Sequence, residues 1–167
     1  MSIYTNIENS LVRHSNFGEY LFYGFMTLIL ALFLIIGIRP VYILGCSMSP
    51  TIAPGSLCIA KDIHSDDPLP ERGSIVIFSS DIDSGILYAK RLIGLPGDSL
   101  SAVNDVLSIN GTYYDCIPGT GGWIADVPDG CVFVLGDNRN NSFDSRNFGC
   151  VSIEQITAKI LFSLPFS

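Results

Sequence analysis

The chain has 167 residues, of which 48% are hydrophobic and only 15% are charged, and its formal net charge at pH 7 is −7. An average globular protein has about 25% charged residues, so this composition fits either an unusually apolar soluble protein or a soluble domain with a membrane segment. The 9 lysines and arginines form no cluster. Binding to nucleic acid requires clustered positive charge to neutralise phosphates, so the composition excludes nucleic acid as the main partner.

The first predicted element is a helix over residues 21–38, LFYGFMTLILALFLIIGI, which contains no charged residue. A helix of this length spans about 27 Å, close to the roughly 30 Å hydrocarbon core of a bilayer. No polar face interrupts it, which disfavours a core helix, and Arg39 and Pro40 follow as an interfacial residue and a helix stop. The sequence predicts a short N-terminal segment at 1–20 and an uncleaved transmembrane anchor at 21–38.

Two alternatives to an uncleaved anchor are disfavoured. A cleaved secretion signal needs a basic N-terminal region and small residues at its cleavage site, whereas Arg13 is the one Lys or Arg before the apolar run. Residues 43–46, ILGC, are similar to the lipobox of bacterial lipoproteins, but Arg39 and Pro40 separate them from the run.

From residue 41 onward the pattern predicts a mainly β domain at 41–167. The Asn110-Gly111 pair is a strong signal for a two-residue hairpin turn. A helical period covers residues 152–162, with Ser152 as a candidate N-cap. The predicted strands, separated by Gly, Pro, Asp and Asn, are 41–44, 56–60, 74–78, 85–93, 106–109 and 132–135.

The five cysteines form no CxxC or Cys/His cluster, so we expect neither a metal site nor any cofactor. If the domain is extracytoplasmic, Cys116 and Cys131 can pair across a loop. Five unpaired thiols fit the sequence equally well. Their odd number leaves at least one thiol free.

Three segments have sequences too specific to serve only the fold: residues 45–51 (GCSMSPT), 88–98 (YAKRLIGLPGD) and 136–146 (GDNRNNSFDSR). Taken singly, each is explained as a turn or a solvated loop. Together, in this order and behind an apolar helix, they resemble the motifs of bacterial type I signal peptidases, as do residues 72–78, RGSIVIF. The chain is similar in length to the single-anchor Gram-positive type.

This resemblance implies a serine endopeptidase that removes signal peptides from preproteins, cutting after small residues at −1 and −3 with a Ser–Lys dyad. By position, Ser47 is the nucleophile and Lys90 the general base. A lysine acts as a base only when neutral. Lys90 lies in an apolar run, so we expect burial to lower its pKa. His14 precedes the anchor and His64 lies in a charged loop, so neither suggests a Ser-His-Asp triad.

The resemblance also assigns supporting roles in the last motif. Ser142 matches a serine that hydrogen-bonds the lysine and orients it, and Asp144 and Arg146 match a charged pair that holds the site together. We expect Arg91, next to the base, to pair with Asp144.

The oxyanion hole is expected to depart from the pattern of many Gram-negative members. Those proteins carry a serine two residues before the nucleophile, whereas this chain has Gly45. Glycine has no side-chain donor, so backbone N–H groups, including that of Ser47, are expected to stabilise the oxyanion.

We expect the substrate to bind as an extended strand beside residues 41–44 and 88–89, with alternate side chains in shallow pockets. Trp123 and Phe148 have two equally suitable roles: each can contact the lipid surface, or each can occupy a position in the protein core. The candidate pocket residues are Tyr42, Ile43, Tyr88 and Ala89.

The resemblance further implies a single-pass protein of the cell membrane, with its N-terminus in the cytoplasm and its catalytic domain outside. The expected partners are signal peptides and the lipid bilayer, and we expect a monomer.

Two other functions stay open. A self-cleaving repressor of the SOS type also has a Ser–Lys dyad, but it carries a DNA-binding helix-turn-helix where this chain has an apolar helix. The other alternative is a non-catalytic, membrane-tethered binding module. Such a module does not need catalytic residues, whereas in this chain every catalytic position of the family is occupied. Eukaryotic-type signal peptidases have a histidine in place of Lys90, which excludes that branch.

Overall fold

The structure is a computed structural model that describes residues 2–80 and 85–164. The chain divides into two compact units, Met1–Ile38 and Arg39–Ser167. Helix α1 (Ser2–Ile36) makes up the first unit, and the predicted anchor lies mainly on it. Across the described ranges, no helix combines the length and the apolar character that crossing a membrane requires.

Within the described residues, two β-sheets build the second unit, which confirms the mainly β prediction. One sheet has seven strands in the order β1 (Ile38–Ile43), β2 (Ser56–Asp62), β11 (Ile156–Leu164), β3 (Ile75–Ser79), β4 (Leu87–Gly94), β9 (Cys131–Leu135) and β10 (Val151–Ser152). The other has four strands in the order β7 (Thr112–Cys116), β6 (Val106–Ile109), β5 (Ser99–Val103) and β8 (Trp123–Asp126). A single helical turn, α2 (Ser145–Phe148), follows β9.

The core fixes the backbone that follows Ser47. Met48 and Ile52 are 0% and 1% exposed, and they pack with buried residues of β2, β3 and β11. A second group of buried side chains joins the four-stranded sheet to β4 and β9. The turn after β1 is therefore held against the same sheet that carries Lys90.

The predicted hairpin is confirmed. Ile109 pairs with Thr112 across the turn, and Asn110 and Gly111 have φ values of 52° and 76°. Positive φ at both positions is the geometry of a type I′ turn.

The predicted helix at 152–162 is wrong. Ser152 caps only a 3-10 turn, Ile153–Gln155, and the chain then continues as β11, where buried and half-buried residues alternate from Ile156 to Ile160. Alternation of this kind matches the two-residue period of a strand.

The structure decides the open alternatives for the cysteines and gives the contacts of the two aromatic residues. All five cysteines lie in the described ranges and are free, so Cys116 and Cys131 are not joined. Trp123 stacks on Phe133, and Phe148 packs on Phe78; both side chains are half-buried and pack against the core.

Candidate active site

Ser47 and Lys90, 43 residues apart in sequence, meet in the structure: Lys90 Nζ lies 2.5 Å from Ser47 Oγ. Lys90 is on β4, opposite Val76 of β3, and is 3% exposed. Burial lowers its pKa, and the negative charge of Asp144 only partly opposes this effect. The direction agrees with the expectation from the sequence. A neutral amine at this distance can accept the proton of the serine hydroxyl.

Asp144 is fully buried and caps the first turn of α2. Its carboxylate accepts hydrogen bonds from Arg146 Nε and Nη2, each at 2.8 Å, and from the Gly136 N–H at 2.9 Å. Burial alone would raise the pKa of Asp144, but these hydrogen bonds outweigh it and lower the pKa. The predicted pair of Asp144 with Arg146 is present, and it fixes the start of α2 beside Lys90.

The expected pairing of Arg91 with Asp144 is wrong. Arg91 pairs instead with Asp137, through Nε to Oδ1 at 2.7 Å and Nη2 to Oδ2 at 2.5 Å. Successive side chains of a strand point to opposite faces, so Arg91 cannot share the face on which Lys90 meets Ser47. Asp137 is within reach because it follows Leu135, which pairs with Arg91 between β9 and β4.

The expected hydrogen bond from Ser142 to Lys90 is not present. Ser142 Oγ is buried and has no hydrogen-bond partner of acceptable geometry in the described part of the chain, although it lies close enough to Asp144 to help lower that pKa. Ser142 packs instead on Gly136, where a Cβ atom would lie 2.1 Å from Ser142 Oγ and 2.6 Å from the Ser47 carbonyl oxygen.

A cavity of about 460 Å³ opens beside the Ser47–Lys90 pair, and we call it the Ser47 cavity. Its lining includes all four candidate pocket residues. Besides Ser47 and Lys90, the lining residues are Tyr42, Ile43, Leu44, Gly45, Cys46, Ile86, Leu87, Tyr88, Ala89, Asn141 and Phe143.

Strands β1 and β4 both border the Ser47 cavity. Residues 87–91 of β4 pair with β3, and the described pairing of β4 with β9 begins at Arg91. β1 is itself the edge strand of its sheet. An extended peptide can therefore hydrogen-bond to either strand and place alternate side chains in the cavity.

Sequence reasoning assigned no role to Asp137, Asn138 and Asn141, which the structure brings to the site. Asn138 Nδ2 donates to the Cys46 carbonyl oxygen at 3.2 Å, and the Asn138 N–H donates to the Ser47 carbonyl oxygen at 2.9 Å. Asn141 Nδ2 contacts Cys46 Sγ at 3.4 Å. The segment 136–146 that contains them stood out in the sequence, but its contacts with a turn about 90 residues earlier leave no local pattern.

The chain is similar to known signal peptidases. A solved signal peptidase I from Enterococcus faecalis V583 is 33% identical, with a TM-score of 0.47, and the match covers 57% of this chain and 97% of that one. Signal peptidase I of Bacillus caldolyticus is 39% identical over 137 residues, covering 71% of this chain and 74% of the relative. Signal peptidase IB of Staphylococcus aureus (strain Mu50 / ATCC 700699) is 32% identical over 154 residues, covering 78% of this chain and 80% of the relative.

The protein family described as "Signal peptidase, peptidase S26" matches this chain over residues 17–164, which is most of its length. Together with the two curated relatives, this match shows that the chain belongs to the signal peptidase family, peptidase S26.

Proposed function

We propose that this protein is a serine endopeptidase that removes N-terminal signal peptides from preproteins, cutting after small residues at −1 and −3. The observation that carries the proposal is the 2.5 Å approach of the buried Lys90 amine to Ser47 Oγ at the wall of the Ser47 cavity. The names of the relatives, signal peptidase I and IB, support the choice of substrate.

In the proposed mechanism, neutral Lys90 accepts the Ser47 hydroxyl proton while Oγ attacks the carbonyl carbon of the −1 residue. The Ser47 N–H stabilises the oxyanion that forms. Lys90 then returns the proton to the leaving amine, and the signal peptide stays as an ester on Ser47. Water attacks this ester with Lys90 again as the base, which releases the carboxylate and restores the serine.

The proposed specificity follows from the lining of the Ser47 cavity. Tyr42, Ile43 and Phe143 narrow a largely apolar space, which favours short side chains over long or charged ones. A substrate strand along residues 87–90 would direct its −1 and −3 side chains to the same face, because side chains alternate along a strand.

We further propose that residues 21–38 hold the protein at the cell membrane as a single span, with the N-terminus in the cytoplasm, the second unit outside and the protein a monomer. The absence of any charged residue from 21 to 38 supports membrane attachment. So does the exposure of large apolar side chains on α1, including Leu28 at 67% and Ile35 at 82%.

The test uses the full chain in detergent with two preproteins that differ only at −1 and −3, one with alanine and one with leucine at both positions. We expect cleavage of the alanine form after its −1 residue, and at least about 100-fold slower cleavage of the leucine form, since a side chain that does not fit a rigid pocket costs a few kcal/mol. Mass spectrometry of the products identifies the cut bond. Equal cleavage of both forms, or a cut elsewhere, would contradict the proposed specificity.

A further inference from the structure

Asn138 holds two consecutive carbonyl groups of the nucleophile's turn. Its side-chain amide donates to the oxygen of Cys46, and its backbone N–H donates to the oxygen of Ser47. The Ser49 N–H also donates to Cys46 O, at 3.1 Å. The peptide groups before and after Ser47 are therefore both fixed by hydrogen bonds at their carbonyl ends.

The peptide that joins Cys46 to Ser47 contains the N–H group expected to bind the oxyanion. A trans peptide is planar, and its C=O and N–H point to opposite sides of the chain. Fixing the Cys46 carbonyl therefore fixes the direction of the Ser47 N–H. Within the described ranges, this N–H donates to no backbone carbonyl.

The position of Asn138 is itself tied to the general base. Its neighbour Asp137 forms the two-point pair with Arg91, the residue after Lys90 on β4. Two adjacent residues just after β9 thus contact both the neighbour of Lys90 and the Cys46–Ser47 peptide.

We infer that Asn138 is a positioning residue for the oxyanion hole: by holding the Cys46 carbonyl, it aims the Ser47 N–H at the developing oxyanion. This inference rests on the proposed function. It assigns Asn138 no contact with the substrate and no proton transfer.

The test compares Asn138→Asp with Asn140→Asp in the full chain. The first variant keeps the size of the side chain but removes the amide donor to Cys46. The second adds the same negative charge two residues away, at an exposed position that does not line the Ser47 cavity. Each is assayed for cleavage of the alanine preprotein and for binding of a peptide aldehyde and the corresponding alcohol, both ending in alanine.

The aldehyde distinguishes oxyanion stabilisation from general damage. Ser47 Oγ adds to its carbonyl carbon, and the serine proton is transferred through Lys90 to the new hemiacetal oxygen, which occupies the oxyanion position. The alcohol binds the same cavity but cannot form this bond. We expect Asn138→Asp to lower kcat by about tenfold or more with little change in KM, since a lost oxyanion donor costs about 100- to 1,000-fold and a misaimed one less. Aldehyde binding should weaken by a similar factor, while alcohol binding and Asn140→Asp should match wild type.

The outcomes separate this inference from the proposed function. If wild type does not cleave the preprotein, the proposed function fails, and the inference fails with it. If wild type cleaves and Asn138→Asp retains both its kcat and its ratio of aldehyde to alcohol affinity, the inference is overturned and the function stands. If Asn138→Asp does not fold, as judged by thermal unfolding, the same ratio in Asn138→Ala decides, since alanine also lacks the donor.

Discussion

Lys90 and Arg91 are adjacent in sequence but have opposite electrostatic surroundings. Arg91 has its charge neutralised by Asp137 at 2.5 Å. Lys90 faces the Ser47 hydroxyl, and Asp144, the acidic group that raises its pKa most, is already engaged by Arg146. Burial therefore dominates at Lys90 and favours its neutral form. The alternation of the strand separates the paired charge of Arg91 from the buried amine of Lys90.

The lowered pKa of Lys90 predicts how activity depends on pH. Only the neutral amine accepts a proton, so kcat/KM for the alanine preprotein should rise with pH through the folded-state pKa of Lys90, which lies below the ordinary value of 10.5. A pH–rate profile measures this. A profile in which activity rises only near the ordinary lysine value would show that burial does not activate Lys90.

At the scale of elements, the connection from β9 to α2 brings the site together. Gly136 lies against Ser142 and the Ser47 carbonyl, Asn138 holds the turn of Ser47, and Asp144 begins α2. This connection packs directly on the backbone of Ser47, the proposed nucleophile, so a small displacement within it moves Ser47.

Gly136→Ala tests this close packing. The new Cβ would lie 2.6 Å from the Ser47 carbonyl oxygen, a backbone atom, so the turn has to shift. We expect a loss of activity of about 100-fold, as for a displacement of about 1 Å at a reacting group, and a loss of stability of about 1–3 kcal/mol.

The matched control is Gly122→Ala, whose Cβ would make an ordinary 3.6 Å contact with Ala102 O. Cleavage rates and urea unfolding of both variants are compared. Wild-type activity in Gly136→Ala would show that the turn tolerates the displacement.

The sequence predicted elements where local pattern decides structure and failed where tertiary contacts decide it. The hairpin at Asn110-Gly111 follows from backbone preferences alone. The sequence analysis did not predict β5 and β8. Serine, alanine and glycine in and around these strands weaken the alternation of apolar and polar residues that indicates a strand. Ser47 and Lys90 were paired through the family resemblance, since no local pattern links residues 43 positions apart. The partner of Arg91 is Asp137 because the end of β9 lies beside β4, and this neighbourhood of strands is a tertiary feature.

At the scale of the whole molecule, buried and half-buried carboxylates join separate parts of the second unit. Asp98 links Arg72 to the hairpin residue Asn110, and Asp137 and Asp144 connect the end of β9 to Arg91 and α2. Burial alone would raise the pKa of each of these carboxyls, but hydrogen bonds and nearby arginines outweigh it and lower all three below 3.8. The folded state therefore binds fewer protons than the unfolded state as the pH falls.

This difference in proton binding predicts acid destabilisation. The stabilisation from the three carboxylates is fully present above the unfolded-state pKa of about 4 and is lost as the pH falls through the folded-state values. The fluorescence of Trp123, the single tryptophan, reports urea unfolding of the second unit at each pH. Asp144→Asn should lower the free energy of unfolding at pH 7 by about 2–3 kcal/mol and reduce its dependence on pH below 4. An unchanged pH dependence in this variant would contradict the assignment.

The central claim is that Ser47 and Lys90 act together as nucleophile and base. The most direct test measures cleavage of the alanine preprotein by the full chain and by its Ser47→Ala, Lys90→Met and Lys61→Met variants. Lys61 is an exposed lysine on β2, outside the Ser47 cavity, and serves as the matched control.

We predict that both dyad variants lose at least about 1,000-fold in rate and that Lys61→Met cleaves like wild type. Cleavage by Lys90→Met at the wild-type rate would contradict the role of Lys90 as base. No cleavage by folded wild-type protein would contradict the peptidase itself and favour a tethered binding module.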